Sequence, residues 1–181
     1  SGDPVNYVRL QDITSGETGS CNSSISSGDP GADVFGVELR DSDGNTIGWG
    51  KTATSNLADK SNNDFKNTGV LSGSKPDLSG GENGMCPKFS NSTILALGCG
   101  GSVTVSFQDS EGNQVELKNG QTIVVYEYGQ QCGSSGDSQY VKISGCPAGT
   151  EQKDFINGSV SCSNGFGSGR GQFNQKVSLS K

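Results

Sequence analysis

The chain of 181 residues contains no histidine, one methionine and one tryptophan. Without histidine, every catalytic scheme that needs an imidazole is excluded, and so is a mixed Cys/His zinc site. Apolar residues are also scarce. Hydrophobic side chains make up 29% of the sequence, and Leu, Ile, Val and Phe together 20%. That is the edge at which a chain stops burying enough apolar surface to fold, so the core must be thin. No apolar run approaches the roughly 18 residues of a transmembrane helix, and no membrane insertion is expected. Positive charge is sparse, with 13 Lys and Arg against 19 Asp and Glu and a net charge of −6. The cations form no cluster, which argues against a nucleic-acid partner.

What is abundant is glycine, at 29 residues, and serine, at 28. Much of the chain is therefore expected to be loop. Val outnumbers Leu, 13 to 9, which favours strands over helices. No window carries a sustained helical spacing of apolar residues. Strand patterns occur instead at 5–13, 33–40, 46–51, 94–97, 102–107, 114–117, 121–128, 139–143 and 175–180. Turn chemistry separates them: Asp41–Asn45 and Asp109–Asn113 are near copies, each with a glycine at its fourth position. The long polar stretch 52–92 and the Gly-rich segments 15–31 and 163–171 read as loops. A single domain of nine or ten short strands with no helix predicts an all-β antiparallel sandwich of jelly-roll or Greek-key kind. Such a fold makes a core from every second residue, which suits a chain this poor in apolar side chains.

Six cysteines stand at Cys21, Cys86, Cys99, Cys132, Cys146 and Cys162. None forms a CxxC pair, so their even number predicts three disulfides and an oxidising, extracellular setting. Cys86 is a candidate tie for the long polar stretch. Cys146 and Cys162 bracket a short loop and are expected to pair. The start at Ser1 rather than Met is what a processed mature chain would show. Sequons occur at Asn22, Asn91 and Asn157, and carry glycans only in a eukaryotic secretory pathway.

Three segments recur in an order that carries a resemblance: 31–39, followed by a hairpin with Gly-Asn; 97–107, which contains Leu-Gly-Cys-Gly-Gly; and 123–129, Ile-Val-Val-Tyr-Glu-Tyr-Gly. Together they resemble a poorly characterised group of secreted or cell-surface bacterial proteins. The resemblance spans about residues 31–145 and implies a galactose-binding-domain-like jelly roll outside the cell. It implies no activity. The cysteines and the Gly/Ser-rich insertion between 52 and 92 depart from that pattern.

Candidate sites follow from residue chemistry. Asp41–Asn45 begins like an EF-hand loop, but Thr52 stands where the bidentate Glu belongs, so a plain hairpin turn is the better reading. Calcium is more plausible at Asp29 and Asp33, which flank Pro30 and Gly31. Trp49 lies between two glycines; it packs in the core or on a sheet face, or leaves its ring open to stack on a sugar. Tyr126 and Tyr128 share one face of a strand, opposite Val125 and Glu127. Glu38 and Glu127 are two of several carboxylates available to a glycosidase, and no spacing singles out a pair. With no catalytic set, the expectation is a non-enzymatic extracellular subunit that self-associates into a fibre, sheath or layer through its terminal strands. The alternative is a carbohydrate-binding or adhesion module, with glycans held by Trp49, Tyr126 and Tyr128 and Ca²⁺ as the candidate cofactor.

Overall fold

The alternation at 102–107 becomes a strand whose every second side chain enters the core: Val103, Val105 and Phe107 are fully buried. A computed structural model describes residues 5–12, 28–58, 63–81, 84–118, 121–128, 132, 139–147, 164–171 and 175–178. Ten strands run in chain order. They are β1 Val5–Asp12, β2 Asp33–Arg40, β3 Thr46–Asn56, β4 Leu95–Ala96, β5 Ser102–Gln108, β6 Gln114–Val115, β7 Thr122–Glu127, β8 Gln139–Pro147, β9 Asn164–Gly171 and β10 Gln175–Ser178. A 3₁₀ turn lies at Thr68–Val70, and among the described residues no helix is long and apolar enough to cross a membrane.

All pairings are antiparallel, in the order β10-β7-β2-β3-β5-β1-β8-β9, with β4 beside β2 and β6 beside β5. The register aligns apolar residues across neighbours. Val8 faces Val105 and Leu10 faces Val103 between β1 and β5. Val37 faces Val125 and Leu39 faces Ile123 between β2 and β7. These pairs, with Leu95, Leu97 and Leu117, form one core cluster. An irregularity between Val34 and Gly36 shifts the phase of β2, so that Val34 joins Val37 and Leu39 in that core. The sheet curls, and β9 and β10, at opposite ends of the strand order, lie close together.

Two departures from the sequence reading concern strands. Segment 163–171 was expected to be a loop, yet β9 pairs with β8 along its length. Its glycines lower strand propensity, but pairing with a partner overrides so weak a preference. β3 runs on to Asn56, five residues past its expected end, because its polar half pairs with β5 from Lys51 to Asn56. The terminal strands also differ in position. β1 is paired on both sides, by β5 and β8, whereas β10 is paired only by β7.

The long polar segment is tied down as its cysteine implied: Cys86 is disulfide-bonded to Cys132. Cys99 is also disulfide-bonded, and no described cysteine is free. Cys21, Cys162 and the expected Cys146–Cys162 pairing lie outside the described side chains.

The Leu-Gly-Cys-Gly-Gly motif has a packing reason. Gly98 has φ +79°, and a Cβ there would lie 2.1 Å from the Ala58 carbonyl oxygen. Its amide donates to the Pro30 carbonyl at 2.9 Å, and the Asp12 carboxylate accepts from Ala32 N at 2.9 Å and from Gly100 N at 3.2 Å. Buried Asp12 thereby pins two loops at one end of the sheet. Gly44 has a similar φ of +85° but open space around it. Gly44→Ala should therefore cost about 1 kcal/mol, from backbone strain alone. Gly98→Ala should cost about 3 kcal/mol or more, from strain plus a backbone clash. Denaturant unfolding of the two variants checks this, and equal losses would contradict the packing account.

Candidate functional site

On the core side of β3, Gly48 and Gly50 pack closely against the neighbouring strands. A Cβ on Gly50 would lie 3.0 Å from Val37 Cβ and 3.4 Å from Val105 Cβ, and one on Gly48 would lie 3.4 Å from Phe107 Cβ. Strand alternation then places Trp49, between these glycines, on the opposite face. That face of β2 carries Gly36, Glu38 and Arg40, and that of β7 carries Tyr126, with Gly36 paired to Tyr126 and Glu38 to Trp49. The rings of Trp49 and Tyr126 are 5.9 Å apart and tilted by 33°, and Phe35 lies 5.9 Å from Tyr126 on its other flank.

A polar network fixes Tyr126 in this group. Its hydroxyl donates to Glu38 Oε1 at 2.7 Å. Arg40 donates through Nε to the same oxygen at 3.0 Å, with its Nη2 at 2.9 Å, and Thr46 donates to Oε2. Burial pushes the Glu38 carboxyl up, but the bonds from Thr46, Arg40 and Tyr126 together outweigh it and hold the group below its ordinary value. For Tyr126, burial and then the Glu38 carboxylate push the phenol up to about 12. The phenol is thus neutral at ordinary pH, its proton is committed to Glu38, and its orientation is set.

The segment after the 3₁₀ turn roofs this group. Gly36 admits it: a Cβ there would lie 2.7 Å from Pro76 Cγ. A cavity of about 260 Å³ remains, lined by Phe35, Arg40, Trp49, Pro76, Met85 and Tyr126 among others. Met85, 49% exposed, stands at its mouth and next in sequence to the Cys86–Cys132 bridge. The hollow is an apolar, aromatic-walled recess with polar groups beneath, suited to stacking on a flat apolar face while donating hydrogen bonds at its edge.

The structure brings Trp49 and Tyr126 together but places Tyr128 elsewhere. Tyr128 stacks on Phe89 at 5.0 Å, and Phe89 on Phe65 at 4.8 Å. Asp33 is buried at the start of β2, and Asp29 is half-buried in the segment before it. Among the described residues no group of three or more Asp, Glu or Cys is arranged to hold a metal ion. Asn91 is exposed on a turn, while Asn22 and Asn157 lie outside the described residues. Glu38 and Glu127 sit on β2 and β7 at positions of opposite facing, Glu38 with Tyr126 and Trp49 and Glu127 completely buried. The two Asp turns match in detail: Asp41 Oδ1 accepts from the amides of Asp43 and Asn45, and Asp109 Oδ1 from those of Glu111 and Asn113, all at 2.9 Å. These are hairpin turns, with the acceptor capacity of the first Asp spent on the loop itself.

The sequence reading missed Arg40, Phe35 and the roof residues Lys75, Pro76 and Met85. Arg40 was detectable, since Glu38 and Arg40 are the charged positions in the second half of β2 and share its face by alternation. The roof was not, because its contact with β2 spans about forty residues of polar chain. Comparisons of the chain with protein families, curated proteins and solved structures returned no match.

The raised phenol is directly measurable. The fold favours protonated Tyr126, so this contribution to stability is complete below pH 10 and is lost as pH rises through about 12. Ultraviolet titration should show one tyrosine ionising near 12, absent in Tyr126→Phe and shifted partway toward 10 in Glu38→Gln. Titration of all tyrosines near 10 would contradict the network.

Proposed function

We propose that the protein is an extracellular carbohydrate-binding module of jelly-roll type, whose ligand seat is the hollow walled by Trp49 and Tyr126. The observation that carries this is the outward placement of Trp49 on a rigid sheet, packed at 5.9 Å on a tyrosine fixed by Glu38. A half-buried aromatic pair with a guanidinium at its edge suits a sugar ring, which offers C–H groups on its faces and hydroxyls around its rim. The antiparallel, curled, all-β sheet and its disulfides support the fold type and the compartment. A binding role rather than an enzymatic one is supported by the lining. Among the described residues it holds Arg40 and Lys75 but no carboxylate, and Glu38 beneath is already bonded by three donors.

Intrinsic fluorescence tests this cleanly, because Trp49 is the sole tryptophan. A cognate oligosaccharide should shift or quench its emission, and Trp49→Ala should weaken binding by at least about tenfold while leaving the fold intact. Emission unmoved by a broad glycan panel would sink the proposal.

A second reading, self-association, is favoured by one observation: among the described residues β10 and β9 each have a hydrogen-bonded partner strand on one side only, although they lie near each other. Backbone groups along such edges can accept a strand from a neighbour. Light scattering should then give a mass above that of the monomer, lost on removal of residues 175–181. A monomer at all concentrations rejects it. Removal of residues 5–12 is not an equivalent test, because β1 is interior to the sheet and its loss would break the fold.

A further inference from the structure

A second and larger recess, of about 640 Å³, adjoins the aromatic hollow, and the two share Trp49 and Lys75 in their walls. The tryptophan ring is therefore a ridge between two openings rather than the back of one. The smaller hollow, at about 260 Å³, falls below the ~300–1,000 Å³ usual for small-molecule sites and fits a single ring-sized unit. The larger recess has room for at least one more. Their chemistry differs. Among the described residues, the ionisable side chains on the walls of the smaller hollow besides Tyr126 are Arg40 and Lys75, both cationic. Arg40 is matched from below by Glu38, whereas Lys75 is exposed and makes no ion pair among the described residues. Besides the shared Lys75, the larger recess beyond Trp49 is lined by Gln108, Ser110 and Glu111, which can accept from sugar hydroxyls, and by Asp109, so that its two carboxylates disfavour an anion there.

We propose that the ligand is an extended oligosaccharide that crosses Trp49, with a carboxylate-bearing sugar on the Lys75 and Arg40 side and a neutral, hydroxyl-rich sugar in the recess beside Glu111. This rests on the carbohydrate reading above and adds to it a length, a charge and a direction. On a chain with net charge −6, a surface hollow whose described walls carry Arg40 and Lys75 and no described carboxylate is a local exception, and charge complementarity selects an acidic unit there. A monosaccharide would use only one of the two openings. Lys75 serves specificity rather than stacking, so its removal should affect acidic ligands alone.

The test uses the full chain and four probes: free glucuronate, a tetrasaccharide alternating glucuronate with N-acetylglucosamine, the same tetrasaccharide with its carboxyls methylated, and a neutral N-acetylglucosamine tetramer. Calorimetry and Trp49 emission are read together. The acidic tetrasaccharide should bind at least about tenfold tighter than both its neutral ester and free glucuronate. Lys75→Gln should bring the acid down to the affinity of the ester without changing the ester or the neutral tetramer. Equal binding of acid and ester, or an equal loss for both in Lys75→Gln, overturns the charge assignment while the carbohydrate reading stands. Equal affinity of monomer and tetrasaccharide overturns the two-recess seat. If no probe moves Trp49 emission or gives heat, this inference fails, and the broad panel decides the reading beneath it.

Discussion

The site depends on a close approach inside the sheet: on the core side of β3, Gly48 and Gly50 lie tightly against the neighbouring strands. Val37 and Val105, from the strands on either side, close over Gly50, and Phe107 and Val115 approach Gly48. In a chain with so few apolar residues, two large neighbours fill the space that a third strand would otherwise contribute. The consequence lies on the other face. A tryptophan between two such glycines must point outward, and its ring is then held by a rigid, ten-stranded sheet rather than by a loop. A side chain larger than glycine at position 50 would push β3 away from its neighbours and move Trp49 with it.

A second layer of constraint fixes what lies beside Trp49. Glu38 is buried, and its cost of burial is offset by three donors converging from Thr46, Arg40 and Tyr126. Each donor comes from a different place in the chain: the start of β3, β2 itself, and β7. The carboxylate thus acts as a hub that aligns three strands at the floor of the hollow. The roof is set differently, by Pro76 resting over Gly36 and by the Cys86–Cys132 bridge beyond Met85. Floor and roof therefore have independent supports.

The alternation of Val103, Val105 and Phe107, the strand at Asp33–Arg40 and the paired Asp turns were legible because they are local: period-two burial and turn chemistry act over a few residues. β9 was not legible, since eight residues rich in glycine carry no pattern and take their structure from β8. The site was half legible. Trp49 and Tyr126 stood out by residue type, but nothing local distinguishes Tyr126, which joins Trp49, from Tyr128, which stacks on Phe89. Tyr126 lies on β7 and Tyr128 just past its end, and they are separated by what covers the sheet at each place, which depends on the long polar segment. The same segment explains why Pro76 and Met85 were missed.

The most direct test of the account is chemical-shift mapping of the isotopically labelled chain during titration with the acidic tetrasaccharide. The account predicts that the largest perturbations fall on the Trp49 indole and on the amides of Gly36, Arg40, Lys75 and Tyr126, with smaller ones near Glu111 and none at Phe65, Phe89 or Tyr128. Perturbations centred on the Phe89 group or on the edge strands, with the Trp49 indole unmoved, would contradict it.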